Sequence, residues 1–412
     1  MVYFKHSELV NDYHVSLKTV HNWIDAAKQG KLDLLLHEQN GRTYVANTPG
    51  NISALESLAN KGKKYRNTLH HKTVSPKPEF YEYYNRRQVL DIISNLEIHR
   101  EIPRKYNYLD GGANNWDKWV KHLQVEHNPN ILKGTLELLE SNKESLFRLI
   151  EGYKYVNVID VGVGNAMPVR PLLDSLLSAG LLHRYVALDI SSTMLGIAEQ
   201  NIKEWFDGKV RFEGHVRDVS YERFDDLLVD DMLSSDSADT VNLVLYLGGT
   251  PTNFRSPADT LKVVCGSMGD KDLLVYTDKP DTEASRRYFD FNPEKGAATL
   301  SPNHSFILGL LNIGSDLYET EMGYSESLNM RYIRIRLKTA LTISFKFDSG
   351  RRDVVLEKGE TILLLRIWHK GVLGLINEFE DVGLSLLQSS LTRDRQFLLT
   401  ISSVNKSRKA ES

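Results

Sequence analysis

Five short apolar runs alternate with helical patterns in the middle of this chain, and that alternation constrains its fold more than any other feature. The runs are Tyr155–Val161, Tyr185–Leu188, Val210–Val216, Thr240–Leu247 and Asp272–Thr277. Strands that alternate with helices indicate a parallel, doubly wound α/β sheet, because parallel strands are usually connected through a helix. A ligand site is then expected at the carboxyl ends of the strands.

Glycine and acidic residues stand at the ends of three of these runs. Gly162 and Gly164 follow the first run, Asp189 ends the second, and Asp218 follows the third. Glycines let the backbone approach a nucleotide-like ligand closely, and an acid after the second strand accepts hydrogen bonds from ribose hydroxyls. Asp218 is suited to accept from an exocyclic amine such as that of adenine, and equally to form a helix cap or surface turn. The pattern predicts a cofactor site at these four residues.

The motifs after the first and fourth runs exclude several enzyme classes. The glycine turn reads GVGNAM and lacks the third glycine of nicotinamide-dependent dehydrogenases. The segment LGGTPTNF at 247–254 contains neither the Asn/Asp-Pro-Pro-aromatic motif of amino-methylating DNA enzymes nor a Pro-Cys nucleophile. The single cysteine, Cys265, falls in a predicted helix over 257–268 and is interpreted as a buried core thiol. VIDVGVGN and ALDIS instead resemble the fingerprint of class I methyltransferases, which implies S-adenosylmethionine as the cofactor.

Further segments resemble the histidine-specific Nα-methyltransferases of ergothioneine biosynthesis. YLGGTPTNF is similar to that family's FLGSTIGN, and IPRKYNYLDGGANNWDKWV at 102–120 is similar to its KYFYD-GS-LF segment. MRYIRIRL at 330–337 and the final predicted strand, Phe397–Ser402, resemble its C-terminal substrate domain. The resemblance spans about residues 80–403. It implies that Asn253 contacts the acceptor amine and that Tyr108 and Tyr288 border the substrate.

The sequence departs from this family at two places. Where the family has Glu-Ile-Ser to hold an imidazole, this chain reads Leu364-Leu365-Arg366-Ile367, and Pro168 replaces a lysine in the first glycine turn. An apolar wall leaves a buried polar ring without hydrogen bonds. Free histidine is therefore expected to be a poor acceptor. Asn253 can alternatively be interpreted as a loop cap. Tyr108 and Tyr288 can alternatively be interpreted as aromatic residues that only pack against their neighbours.

The first 72 residues form a separate, basic segment. They carry ten Lys or Arg against six Asp or Glu, a local charge of +4 in a chain whose net charge is −3. Ser7 and Ser16 are the predicted N-caps of two short helices. The apolar side chains predicted to close a small core are Leu9, Val10, Tyr13, Val15, Leu17, Val20, Trp23 and Ile24. The side chains predicted to face outward on the second helix are Lys18, Thr19, His21 and Asn22.

A hairpin follows these helices. Asn40-Gly41 between two apolar runs is a strong hairpin signal. Together with the helices it resembles the winged helix-turn-helix of the MerR and excisionase group over about the first 50 residues. The resemblance implies duplex DNA as a partner, read by the outward face of the second helix, with Arg42 of the wing at phosphate or minor groove. A winged helix used only for protein contact or dimerisation remains an alternative, and a homodimer is expected.

Together these observations predict an α/β fold class: a doubly wound, Rossmann-like methyltransferase domain with an additional α+β substrate domain, preceded by a small winged helix-turn-helix. The predicted boundaries are 1–72 for the winged helix, 73–79 for a linker, 80–150 for the helical part of the substrate domain, 151–280 for the core, 281–403 for the C-terminal substrate domain and 404–412 for a tail. One cysteine, and the lack of a signal segment or long apolar run, indicate a cytoplasmic protein.

Three functions fit the sequence. The first is a methyltransferase acting on an amine of an amino-acid-like or peptide substrate, fused to a DNA-binding module. The second is a DNA-binding regulator whose methyltransferase-like domain senses a ligand. The third is an interaction protein in which both modules contact other proteins. The fold alone does not choose among them, because function depends on the site.

Overall fold

The computed structural model describes residues 3–13, 15–39, 41–69, 71–109, 111–228, 239–288, 300–348 and 350–405, without the side chains of 60–69, 111 and 286–288. The chain divides into two units. The first contains Met1–Thr73 and the short segments Thr339–Thr342 and Leu356–Lys358. The second contains Val74–Lys338, Ile343–Val355 and Gly359–Ser412. The domain boundaries predicted from the sequence stay predictions.

The first unit contains the two predicted helices and the predicted hairpin. Its elements are β1 (Tyr3–Phe4), α1 (His6–Asp12), α2 (Leu17–Lys28), β2 (Leu36–Gln39), β3 (Arg42–Ala46), α3 (Pro49–Leu69) and β4 (His71–Val74). The hairpin strands are antiparallel, in a sheet of order β1-β3-β2. Asn40, in the predicted turn, lies outside the described residues.

The predicted helix starts and the predicted small core are confirmed in part. Ser16 caps α2, since its Oγ accepts from the Thr19 N–H at 3.1 Å. The prediction that Ser7 caps α1 is wrong: the helix begins at His6 after Lys5, because the Lys5 N–H bonds to Glu8 Oε2 at 2.7 Å. Leu17 is also misassigned to the core, being 51% exposed at the first position of α2. Of the side chains predicted to close the core, Leu9, Val15, Val20, Trp23 and Ile24 are buried, and the core also contains Leu34, Val45, Leu55 and Ala59.

The second unit opens with helices and then alternates strands with helices, as predicted. The helical part comprises α4 (Pro78–Tyr83), α5 (Arg86–His99), a 3-10 helix (Arg104–Tyr108), α6 (Gly111–Val125), α7 (Ile131–Ser141) and α8 (Lys143–Leu149). The alternating part comprises β5 (Tyr155–Val161), α9 (Arg170–Ser178), β6 (Leu182–Asp189), α10 (Ser192–Phe206), β7 (Phe212–Val216), β8 (Thr240–Tyr246), α11 (Pro257–Ser267) and β9 (Leu273–Asp278). Short 3-10 turns lie at Met167–Val169, Asp225–Leu227 and Pro251–Asn253.

The remainder of the chain adds strands and three helices. Its elements are α12 (Glu283–Tyr288), α13 (Pro302–Leu310), β10 (Tyr318–Ser325), β11 (Met330–Leu337), β12 (Ala340–Phe347), β13 (Gly350–Leu356), β14 (Thr361–Trp368), α14 (Val372–Asp381), β15 (Leu384–Leu391) and β16 (Leu398–Val404), with a 3-10 turn at Ser315–Leu317. An antiparallel sheet has the order β10-β11-β14. β15 and β16 instead join the central sheet.

The central sheet has seven strands in the order β15-β16-β9-β8-β5-β6-β7. The five predicted strands, β5 to β9, are parallel to one another, and β16 pairs antiparallel with β9. Every residue of β8 is buried, because both faces of the sheet are covered. The prediction of a Rossmann-like fold with a parallel central sheet is therefore confirmed. The lone thiol, Cys265, is buried in α11.

Among the described residues, no helix is both long enough and apolar enough to cross a membrane.

Candidate active site

A cavity of about 900 Å³ lies in the second unit, where the carboxyl ends of β5, β6 and β7 and the loop after β8 meet. Six of the residues predicted from the sequence line it, namely Tyr108, Gly162, Gly164, Asp189, Asp218 and Asn253. The side chain of Tyr288, the remaining one, lies outside the described residues. The structure therefore brings the predicted cofactor residues and the predicted acceptor residues to one cavity.

The turn after β5 requires its two glycines. Gly162 and Gly164 have φ angles of 75° and 55°, in the left-handed region that side chains disfavour. A Cβ on Gly162 would lie 2.7 Å from Thr250 Cγ2, and one on Gly164 would lie 3.4 Å from Trp116 Nε1. A side chain at Gly162 would clash with Thr250, whereas at Gly164 it is the backbone conformation that favours glycine.

Asp189 is held at the end of β6 by backbone donors. Its Oδ2 accepts from the Gly164 N–H at 3.3 Å and its Oδ1 from the Ser191 N–H at 3.0 Å. Burial raises the pKa of Asp189 to about 6, although these backbone hydrogen bonds oppose the rise. The carboxyl is therefore mainly ionised at neutral pH, and its backbone donors, which include Ile190, leave part of its acceptor capacity for a ligand hydroxyl.

A second buried acid, Asp160, lies beside the glycine turn and lines the same cavity. It accepts from the Tyr185 hydroxyl at 2.7 Å, and burial raises its pKa to about 7. The sequence contained a signal for this residue, because it is the acid of VIDVG directly before the glycines. It was not among the residues predicted to bind the cofactor.

Asp218 follows β7, as predicted, and is already engaged by protein donors. Its Oδ2 accepts from Lys105 Nζ at 2.8 Å and its Oδ1 from the Ser220 N–H at 3.1 Å. Lys105 also lies 3.4 Å from Asp91 Oδ2. Burial works against the charge on this lysine, but the two carboxylates outweigh burial and its pKa is raised. Asp218 thus anchors the segment that contains Tyr108 to the end of β7.

The predicted acceptor residues meet around a cation that the sequence did not single out. Asn253 ends the 3-10 turn after β8, and its Oδ1 accepts from Arg104 Nη1 at 2.7 Å. The guanidinium of Arg104 lies 5.5 Å from the ring centre of Tyr108 and 5.7 Å from that of Trp116. Tyr108 and Trp116 themselves meet edge to face at 5.1 Å. Asn253 and Tyr108 are therefore parts of one packed group.

One wall of the cavity is apolar, as the departures on β14 predict. Leu365 and Ile367 both line the cavity. Arg366, between them, instead donates to Glu101, which also accepts from Arg255 Nη2 at 2.5 Å. Glu101 is a buried acid that the sequence analysis missed.

Further titratable groups line the cavity from the C-terminal part of the unit: Asp278, Lys279, His304 and Arg331. Burial, reinforced by the charge of Arg331, lowers the pKa of Lys279 to about 6. Burial, with the charges of Arg104 and Arg331, lowers the pKa of His304 to about 4. Burial raises the pKa of Asp278 to about 7. None was predicted from the sequence, because they are distant from the glycine motifs in the chain.

Residues 86–285, just under half of the chain, match the family model described as histidine-specific methyltransferase, SAM-dependent. The match confirms S-adenosylmethionine as the cofactor predicted from the sequence. No curated protein matches the sequence.

Several solved structures are similar in outline. A S-adenosylmethionine-dependent methyltransferase from Clostridium acetobutylicum ATCC 824 has 9% identity and a TM-score of 0.39, over 71% of this chain and 97% of its own. Magnesium protoporphyrin IX methyltransferase from Synechocystis PCC 6803 with bound SAH has 11% identity and a TM-score of 0.37, over 73% of this chain and 98% of its own. The glycopeptide N-methyltransferase MtfA complexed with S-adenosyl-L-methionine has 11% identity and a TM-score of 0.33, over 68% of this chain and 89% of its own. Likenesses of this strength say nothing about the acceptor.

Proposed function

We propose that the protein is an S-adenosylmethionine-dependent N-methyltransferase that acts on an amine of an amino-acid-like or peptide substrate other than free histidine. The observation that carries the proposal is that Gly162, Asp189 and Asn253 line one cavity. Cofactor residues and acceptor residues are thereby within reach of a single bound pair of reactants.

The residues at the ends of β5 to β7 suit the cofactor. Gly162 and Gly164 place backbone without a side chain at the cavity, and Asp189 presents a mainly ionised carboxylate held by backbone N–H donors. A fixed carboxylate is a good acceptor for paired ribose hydroxyls. Asp218 Oδ1 accepts from both the N–H and the hydroxyl of Ser220, whereas Oδ2, which accepts from Lys105, retains a lone pair that suits the adenine amine.

The acceptor end has to hold a neutral amine in line with the methyl group. S-adenosylmethionine, when bound, supplies a methyl group on a positively charged sulfonium. Asn253 Oδ1 has two lone pairs: Arg104 uses one, and the other is suited to accept an N–H of the amine and so orient its lone pair. The positive charge of Arg104 disfavours an ammonium beside it, which lowers the pKa of the bound amine. No dedicated base is needed in this arrangement.

Methyl transfer to a nitrogen is the test of this function. Full-length protein is incubated with S-adenosylmethionine and single amino acids or short peptides, and mass spectrometry follows the methylated product. We expect methylation of at least one acceptor, none of the same acceptor with its amine acetylated, and a large loss of rate in Asn253→Ala with cofactor binding retained. Cofactor binding without methylation of any acceptor would contradict the proposal.

A ligand-sensing regulator is the second candidate for the same cavity. It is favoured by the departures from the family pattern, Pro168 in the first glycine turn and the apolar side chains Leu365 and Ile367 on β14. In this case the cavity binds S-adenosylmethionine and no methyl group is transferred. The methylation assay separates the two candidates.

We also propose that the first unit binds duplex DNA as part of a homodimer. Lys18, His21, Asn22 and Arg42 are exposed, and Thr19 is half-buried, with its Oγ1 2.8 Å from Ser16 Oγ. An exposed polar helix face next to a hairpin suits the major groove, and the local charge of +4 suits phosphate. Symmetric dimers are the usual form in which such modules bind DNA.

A further inference from the structure

One face of the antiparallel sheet β10-β11-β14 lines the cavity. In the register of β11 and β14, Ile333 lies opposite Leu365 and Arg331 lies opposite Ile367. Directly opposite residues of antiparallel strands, and residues two positions apart on one strand, project from the same face. All four residues line the cavity, in agreement with this register. Ile333, Leu365 and Ile367, which we call the apolar patch, therefore form one surface with Arg331 at its end.

The polar residue in this stretch of β14 is directed away from the patch. Arg366 stands between Leu365 and Ile367, and its guanidinium donates to Glu101. Leu365 and Ile333 are buried, with 5% and 4% of their surface exposed. Because successive residues of a strand alternate between its faces, Arg366 lies on the opposite face from a ligand that contacts the patch.

The apolar patch adjoins the site proposed for the amine. β14 packs against the 3-10 turn Pro251–Asn253. Trp368, the last residue of β14, donates from Nε1 to the carbonyl oxygen of Phe254 at 2.8 Å, and Phe254 directly follows Asn253. These contacts tie the strand that carries most of the patch to the segment that carries Asn253. A group attached to the carbon that bears the amine therefore has the patch within reach.

A second apolar surface belongs to the cofactor end of the cavity. Trp116, Trp119, Val120 and Leu123 line the cavity from α6 and are spaced as one face of a helix. A Cβ on Gly164 would lie 3.4 Å from Trp116 Nε1, so this surface begins over the glycine turn. The cofactor thus has apolar contacts of its own, and the patch on β11 and β14 is available to the acceptor.

The patch itself offers no hydrogen bond to a polar side group. Apart from Arg331, the titratable groups described above at the C-terminal side of the cavity come from other elements: Asp278 and Lys279 from the end of β9, and His304 from α13. A polar side chain placed on the patch gives up its hydrogen bonds to water without replacement there, whereas an apolar side chain gains from burial.

We infer that the methyl acceptor is an apolar amine: an amino acid, or the N-terminal residue of a short peptide, whose side chain is aliphatic or aromatic. The apolar patch packs against this side chain while Asn253 accepts from the amine. The inference rests on the proposed function, since it takes Asn253 as the amine contact. It assigns Ile333, Leu365 and Ile367 as determinants of acceptor specificity.

The test compares apolar amines with polar partners of similar shape on the full-length, unmutated protein. The protein is first saturated with S-adenosylhomocysteine, so that no amine binds in the cofactor site. Calorimetry then measures L-leucine against L-asparagine, L-valine against L-threonine and L-phenylalanine against L-histidine, each as the free amino acid and as the first residue of a dipeptide with glycine. At least one apolar member should bind about tenfold to a hundredfold more tightly than its polar partner. Equal or weaker binding of every apolar member, or no binding of any, would overturn the inference.

Variants of the patch give a second readout. Leu365→Asn, which keeps the size of the side chain, should weaken binding of the preferred amine at least about tenfold and reduce its advantage over the polar partner. Leu365→Met, which keeps an apolar side chain of similar volume, should retain the preference. Leu363→Asn is the matched control, because it makes the same change on the same strand at a half-buried position outside the cavity lining. An undiminished preference in folded Leu365→Asn would overturn the role of the patch.

Thermal unfolding identifies any variant that fails to fold. Ile367→Thr, at a half-buried position, is the second variant and should weaken binding of the preferred amine without weakening that of S-adenosylhomocysteine. If the unmutated protein does not bind S-adenosylhomocysteine, or methylates no amine in the assay above, the proposed function fails. If it does both and shows no preference for apolar amines, only this inference fails.

Discussion

At the scale of single residues, we expect Asp189 to make cofactor binding depend on pH. Its pKa is raised to about 6 by burial, and only the ionised carboxylate offers full acceptor capacity to ribose hydroxyls. Proton uptake below this value replaces a charged acceptor with a neutral one. We therefore expect cofactor binding to be coupled to the ionisation of Asp189.

We expect affinity for S-adenosylmethionine to be constant from about pH 7 upward and to fall as the pH drops below about 6. The affinity falls in acid because the ionised form of Asp189 is the form that binds the cofactor. In Asp189→Asn, which has no charge to lose, this part of the pH dependence should disappear and the affinity should be low throughout. Calorimetry at several pH values checks both statements, and an affinity that rises with acidity would contradict them.

The contacts between residues distant in sequence are the part of the site that sequence reasoning did not supply. Gly162, Gly164 and Asp189 were predicted because each stands beside its own strand. Lys105 with Asp218, Arg104 with Asn253 and Arg366 with Glu101 are separated by 113, 149 and 265 positions. A local pattern contains no information on such pairs, so Arg104 and Glu101 were found only from the structure.

At the scale of elements, β14 gives the cavity an apolar wall. Leu365 and Ile367 line the cavity, and the polar residue between them, Arg366, donates to Glu101. We expect free histidine to be methylated at least about a hundredfold less efficiently than the best acceptor, since a polar ring against apolar side chains loses hydrogen bonds worth about 1–3 kcal/mol. Comparison of kcat/KM for histidine and the best acceptor checks this. Efficient trimethylation of histidine would show that β14 is misaligned with the family's Glu-Ile-Ser segment.

The helix α2 and the strand β3 are expected to contribute differently to DNA binding. Replacing Lys18 and Asn22 by Ala should reduce discrimination between specific and random duplexes, because base-edge contacts confer sequence preference. Replacing Arg42 by Ala should weaken binding to all duplexes alike. It should also reduce the salt dependence of binding, because contacts with phosphate cause that dependence. Fluorescence anisotropy with the full-length protein measures both. Absence of salt-dependent binding to any duplex would assign the unit to protein contact.

The strands were easier to predict than their order in the sheet. Tyr155–Val161 was predicted with its observed bounds, because an apolar, β-branched run followed by glycine is a local signal. The final strand was predicted as part of the C-terminal segment, whereas β15 was not predicted, and the structure adds both to the edge of the central sheet beside β9. β16 pairs with β9 although about 120 residues separate them in the chain. Such pairing depends on tertiary packing, which the periodicity of apolar residues does not indicate.

At the scale of the whole molecule, buried acids around the cavity reduce stability at neutral pH. Burial raises the pKa values of Asp160, Asp189 and Asp278 to about 7, 6 and 7 from an unfolded value of 3.8. The folded state then binds protons more tightly than the unfolded state. Their contribution to the free energy of unfolding is lost as the pH rises from about 4 to about 7. The chain thus carries a stability cost at the site where it needs ionised groups.

Asp278→Asn isolates one of these acids. The stability of the unmutated protein relative to this variant should fall as the pH rises from about 5 to about 7.5, because only the aspartate has to lose a proton while buried. Urea unfolding at both pH values measures the difference, and the comparison cancels the opposing effects of buried histidines. A difference that stays constant with pH would contradict the raised pKa of Asp278.

Calorimetric titration of the full-length protein with S-adenosylmethionine shows whether the cavity is a cofactor site. We expect one site per chain, competition by S-adenosylhomocysteine, and a loss of affinity of at least about tenfold in Asp189→Ala, since hydrogen bonds to a charged group are worth about 1.5–3 kcal/mol. Asp174→Ala, at an exposed position on α9, is the matched control and should bind like the unmutated protein. No binding by the unmutated protein, or equal binding by Asp189→Ala, would show that the cavity does not bind the cofactor through Asp189.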